Sequence, residues 1–223
     1  MTDTFATAPR PIHRLIPSQF PPIGLFDTVA TAADLAAAME LVGWTNDRLV
    51  AERIRRLPRS EWVYGTPNAS IVMAAFLHVA PSGMRFNGPD LGAWYAADNI
   101  RTAAAEVGHH LRREAVARGV ATMNRRYRAY TAILLGEYLD IRGQQTSRPT
   151  IYASVSYAAS QPFGEQIRAT GGAGLIYDSV RLANGTNVVA HRPRNVTEIL
   201  QTDHYEITVQ AAFRTIDVRR LTA

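Results

Sequence analysis

The chain contains no cysteine and no lysine. The first absence excludes a disulfide scaffold, thiolate-held zinc, cysteine-ligated iron–sulfur clusters and a cysteine nucleophile. It also fits a reducing cytoplasm, the expected location. The second excludes a P-loop, whose phosphate grip needs a lysine after its glycines. No apolar run approaches the roughly 20 residues that span a bilayer. The longest, Ile71–Ala80, is interrupted by His78. Met1–Pro11 carries Asp3 and no apolar stretch, so neither a secretory signal nor membrane association is expected. Gly-x-Gly-x-x-Gly, Gly-x-Ser-x-Gly and His-Glu-x-x-His are missing too.

What remains is the composition of a protein with a core. The chain has 223 residues, 47% hydrophobic and 19% charged, which suits one domain. All 24 basic residues are arginine, and 19 acids hold the net charge to +5. Arginines cluster at Arg53–Arg59, Arg112–Arg113 and Arg125–Arg128. Gathered on one face they would neutralise phosphates, so an arginine-rich nucleic-acid-binding module without catalysis is the alternative reading. Spread over solvated helix faces they only replace lysine.

Local signals divide the chain into a flexible N-terminus, residues 1–12, and one domain over 13–223, with 31–75 as a helical elaboration. Ala32–Leu41 reads as a helix capped by Thr31 and stopped by Gly43, and Asn46 opens a second helix that Pro58 ends after Arg56. Ser70–Val79 is a buried strand or short helix. After the loop Pro81–Asp90 comes a strand, Leu91–Ala97, then a helix from Asn99 to Arg118, capped by Asp98 and stopped by Gly119. Thr122–Leu139 reads as another helix. A further helix begins near Ser160, which keeps Pro162 in its first turn. Gly171, Gly172 and Gly174 precede a strand, Leu175–Arg181, and so make an ordinary turn. Asn184-Gly185 then turns a hairpin into Thr186–His191. Tyr205–Phe213 and Thr215–Arg219 supply late strands. The class is α+β: a single compact domain with short mixed or antiparallel sheets and flanking helices, not regular βαβ alternation.

Two sets of residues could carry chemistry. Glu106 lies one helical turn from His109 and His110. Such a pattern holds a metal only when a second helix supplies further ligands. A metal hydrolase using Glu106 with His109 or His110 is therefore a third reading, and no metal site is expected. Taken alone, Glu106 is either a solvated helix carboxylate or a group placed for a task at the edge of the small face Ala103–Ala105.

The second set is longer. It comprises Arg85-Phe86-Asn87-Gly88, then Trp94-Tyr95-Ala96-Ala97, then Thr102-Ala103 and Ala105-Glu106-Val107. His13-Arg14-Leu15 precedes it. Tyr157-Ala-Ala-Ser160-Gln161-x-x-Gly164 and Gly174-Leu-Ile-Tyr-Asp-Ser179-Val-Arg181 follow. In order and spacing, from about residue 13 to about 213, this resembles the core signature of the RES domain family. It departs from the pattern in the long interval between Arg14 and Arg85 and in the loop Arg-Phe-Asn-Gly-Pro-Asp.

The resemblance implies a fold related to bacterial ADP-ribosyltransferase toxins, with NAD as substrate and no separate cofactor. It implies the toxin half of a toxin–antitoxin pair, with an Xre-type helix-turn-helix antitoxin as partner and a homo- or hetero-oligomer as the assembly. Members either destroy NAD by hydrolysis or phosphorolysis or transfer its ADP-ribose to a target protein. On this chain the resemblance makes Glu106 the catalytic carboxylate, which would steady the sugar cation formed as the nicotinamide–ribose bond breaks. Arg85 would assist, and Arg14 and Arg85 would grip the pyrophosphate or ribose. Tyr95 would stack on nicotinamide. Ser160 or Ser179 would supply the family's serine, and the sequence does not choose between them.

Overall fold

The computed structural model describes residues 3–19, 24–31, 33–34 and 48–222. Its strands are β1 Phe5–Thr7, β2 Ile12–Pro17, β3 Trp94–Ala97, β4 Thr122–Leu134, β5 Glu137–Asp140, β6 Gly174–Asp178, β7 Thr186–Ala190, β8 Val196–Gln210 and β9 Ile216–Leu221. Its α-helices are α1 Arg48–Arg56, α2 Ala69–Leu77, α3 Ile100–Ala117 and α4 Ser160–Ala169. The strands form one sheet in the order β1-β5-β6-β7-β3-β2-β4-β8-β9. Every neighbouring pair is antiparallel except β5 and β6. The α+β class holds. No helix among the described residues is long and apolar enough to cross a membrane.

Side chains alternate across a strand, so β3 divides the core. Trp94 and Ala96 join the cluster that includes Val72, Phe76 and Leu77 of α2. Ala97 faces the other way, with Ala103, Ala104 and Leu111 of α3. Tyr95 packs beside it against a third cluster that holds Phe163 and Ile167 of α4. The helices thus sandwich the sheet, with α3 and α4 on one face and α2 on the other.

Several elements differ from their sequence reading. Thr122–Leu134 is a strand, not a helix. Its arginines, alanines and leucine are good helix formers, but it pairs with β2 on one edge and β8 on the other. That double pairing, with Tyr127, Ala129, Tyr130 and Ala132 buried, outweighs propensity. Glu137–Asp140, the end of the same expected helix, is a separate strand. The ambiguous run Ser70–Val79 folds as α2, in which every residue but Ala74 is buried. A helix apolar on all sides shows no periodicity to read.

Asp98 does not cap α3. Its backbone still bonds into the sheet, Asp98 N to Thr186 O at 2.9 Å. Asn99 is the cap, with its side chain accepting from Thr102 N at 2.9 Å. Residues 5–7, read as loose, form an edge strand on β5. β6 stops at Asp178, short of Arg181, whereas β8 begins nine residues before the expected Tyr205. The helix expected at Ala32–Leu41, its stop at Gly43 and the Asn46 cap lie for the most part outside the described residues. Thr31 Oγ1 does accept Asp34 N at 3.1 Å, as a capping residue would.

Candidate active site

β2 and β3 pair at a single position, His13 opposite Ala97. Beyond that pair the two strands part, and the gap opens into a cleft of about 270 Å³. Arg14 and Leu15 line it from β2, and Tyr95, Ala96 and Ala97 from β3. The Arg85 loop closes a second side. One face of α3, carrying Ala103, Glu106, Val107 and His110, closes a third. These four share a face because the α-helix returns every three to four residues.

Arg14 bridges the parted strands. Its Nη1 donates to Tyr95 O at 2.8 Å, and its guanidinium lies 4.7 Å from the Trp94 ring centroid. Its Nε is buried and makes no hydrogen bond. Burial pulls the Arg14 guanidinium down to about 10, against a smaller opposing effect of Tyr95, so it remains a cation at neutral pH.

Arg85 is 7% exposed. Its Nη1 donates to the carbonyls of Ile151 at 3.2 Å and Ala153 at 3.0 Å, and its guanidinium stacks 5.0 Å from the Tyr157 ring. No carboxylate among the described residues forms an ion pair with Arg14 or Arg85. A buried guanidinium satisfied only by carbonyls keeps charge in reserve for an anion.

The loop that carries Arg85 is held from two directions. Tyr95 Oη donates to Asn87 Oδ1 and accepts from Phe86 N, both at 2.8 Å. Burial pushes the Tyr95 hydroxyl well up, so it stays protonated. From α4, Gln161 Nε2 donates to Ser82 O and Met84 O, and Glu165 accepts from Gly88 N at 2.9 Å.

Glu106 meets two donors on one oxygen. Ser179 Oγ and Asn187 Nδ2 each bond Oε1 at 2.7 Å. Oε2 accepts no hydrogen bond from the described residues. The Ser179 hydroxyl also accepts from the backbone N–H groups of Arg181 and Leu182, both at 3.1 Å. With those bonds filling its lone pairs, its proton is directed at Glu106.

The structure therefore gathers Arg14, Arg85, Tyr95 and Glu106 around one cleft. The two serines differ. Ser179 lies behind Glu106 as its hydrogen-bond partner. Ser160 is fully buried at the start of α4, with a 3.5 Å contact from its hydroxyl to Tyr157 O, and it is not on the cleft wall. Of the histidine pair, His110 lines the cleft and His109 does not. Burial lowers His110 despite the attraction of Glu106. Burial, joined by Arg181 and His110, pulls His109 down to about 4. Among the described residues no three histidine, aspartate or glutamate side chains gather as a metal site.

Asn187 is the site residue that sequence reasoning missed. It sits in the apolar run Thr186–Ala190, where an amide two residues after a hairpin glycine was the one available signal. Its partner is 81 residues away.

An α+β protein whose cleft is lined by one carboxylate and by two guanidiniums that no carboxylate among the described residues pairs fits a sugar-phosphate ligand. The comparisons with known proteins name the family. The RES domain model matches residues 53–210, and the chain belongs to that family. Among solved structures, the chain is similar to one in the crystal structure of the M. tuberculosis MbcT–MbcA toxin–antitoxin complex. The identity is 17% and the TM-score 0.41, over 60% of this chain and 75% of that one. A search of the curated proteins finds no match.

Proposed function

We propose that this protein consumes NAD by breaking its nicotinamide–ribose bond, and that it is the toxin of a toxin–antitoxin pair. One observation carries the enzymatic half: Glu106 is anchored through Oε1 on the wall of a cleft that Arg14 and Arg85 also line, with Oε2 unbonded. The anionic pyrophosphate sits with the guanidiniums, which grip it through paired hydrogen bonds. The ribose then lies beside Glu106. As the C–N bond breaks, its electron pair goes to the pyridine nitrogen and nicotinamide leaves neutral. Positive charge spreads over C1 and the ring oxygen, and a fixed carboxylate stabilises it without reorganising. An acceptor adds to C1: water, phosphate or a protein side chain. The partner is an Xre-type antitoxin, as the family resemblance implies.

The test is purified protein with NAD, assayed for free nicotinamide with and without added phosphate and cell extract. The unmutated protein releases nicotinamide, and Glu106→Gln slows release by at least about a hundredfold, the scale of removing a key charge-stabilising group. The product (ADP-ribose, its 1-phosphate or a modified protein) identifies the acceptor. No release under any of these conditions overturns the proposal.

A further inference from the structure

We infer that Asn187 is a positioning residue for the reaction, the group that fixes which oxygen of Glu106 meets the substrate. The inference rests on the NAD-cleaving reading and deepens it at the same site.

A glutamate on a helix has three side-chain torsions, and a free carboxylate at a cleft wall exchanges its two oxygens readily. Glu106 has no such freedom. The Asn187 amide reaches Oε1 from the middle of the sheet, where β7 is paired on both edges, with Asn187 opposite Ala97 of β3 and Tyr177 of β6. Asn187 is 3% exposed. An anchor in a doubly paired central strand moves little, so its 2.7 Å bond to Glu106 defines a direction as well as a contact.

Ser179 is a different kind of support. It lies just past the end of β6, and its own hydroxyl is oriented by two loop N–H groups. Neither donor alone sets the carboxylate plane, because one bond leaves rotation about it. Two donors converging on Oε1 leave Oε2 as the oxygen presented to the cleft. Asn187 must be an amide for this. An aspartate of the same shape has no donor and adds a like charge beside Glu106.

A residue that positions a catalytic group affects the transition state more than substrate binding. Asn187→Ala therefore lowers kcat for nicotinamide release by about ten- to a hundredfold, the scale of one hydrogen bond to a charged group. It leaves KM for NAD within about twofold. Asn187→Asp loses more. In a Glu106→Gln background, Asn187→Ala adds little further loss, because the two side chains act as a unit. Each variant's thermal melt checks that it folds. If Asn187→Ala does not fold, Asn187→Ser, whose hydroxyl ends short of the amide nitrogen, removes the same bond and is read against the same outcomes. A folded Asn187→Ala enzyme with wild-type kcat, or one whose loss lies wholly in KM, overturns the inference while NAD cleavage stands. A loss that simply multiplies with that of Glu106→Gln also overturns it. An unmutated protein that releases no nicotinamide overturns the parent reading, and this inference with it.

Discussion

The Tyr95 hydroxyl holds the Arg85 loop by donating to Asn87 and accepting from the Phe86 amide. The phenol therefore acts as a brace between β3 and the loop, and its edge on the cleft is a second role. Tyr95→Phe keeps the ring and removes both bonds, leaving the buried Phe86 N–H and the Asn87 carbonyl oxygen without that partner. The expected cost is about 1–3 kcal/mol of stability, the usual penalty for an unsatisfied buried group. Arg85 loses its fixed approach, so KM in the proposed NAD cleavage rises severalfold. Urea unfolding and steady-state kinetics on the same variant check both effects. Wild-type stability would show that the brace carries no load.

Gly164 tests the other support of that loop. Its Cα faces the Phe86 carbonyl so closely that an added Cβ would overlap the carbonyl oxygen. Backbone conformation is not the constraint here; space is. Gly164→Ala must push α4 away from the Arg85 loop, at about 1–3 kcal/mol for overpacking. Gln161 and Glu165 ride on the same helix and hold the loop, so the proposed NAD cleavage falls too. A fully stable, fully active Gly164→Ala protein would contradict the packing described here.

The parts of this site that lie in short stretches of chain were legible in the sequence. Arg85 with Asn87, Tyr95, and Glu106 each sit in a local motif, and α3 follows from its small face and Gly119, with its cap one residue later than the sequence suggested. What stayed hidden depends on partners far along the chain. β4 looked helical because its pairing with residues 12–17 and 196–210 cannot be read locally. Its middle, Tyr127–Tyr130, is buried on both faces, which erases there the period-two signal that marks a half-buried strand. The choice between Ser160 and Ser179 stayed open in the sequence for the same reason. Both are serines near a turn, and only the sheet brings Ser179 to Glu106, 73 positions earlier.

Acid should destabilise the protein in a defined window. His109 has a folded value of about 4 against an ordinary value of 6.5, with burial the main cause. Between those two values the unfolded chain binds more protons than the folded one, so stability rises with pH across the window and is lost as pH falls through it. Burial lowers His110, His13 and His191 as well, in the same direction. Urea midpoints from pH 7 down to 4 should fall steadily, and His109→Asn should flatten the slope in part. An unchanged slope in that variant would show that His109 does not contribute.

The arginines of β4 provide a test of the nucleic-acid alternative. Arg125 meets Glu114 through both carboxylate oxygens at 3.0 Å, and Arg118 meets the same carboxylate at 2.8 Å. Arg126 lies 3.7 Å from Glu206, which also holds Arg219 at 2.6 Å. Charges paired within the fold release few counterions on meeting a phosphate backbone, so they make a poor nucleic-acid surface. Arg125→Gln is expected to cost up to about 1 kcal/mol of stability through the lost ion pair with α3. It should leave any DNA or RNA binding, and the salt dependence of that binding, unchanged. Binding that weakens steeply with salt, and whose salt slope falls by about one in Arg125→Gln, would mean that this arginine contacts phosphate and would revive the binding-module reading.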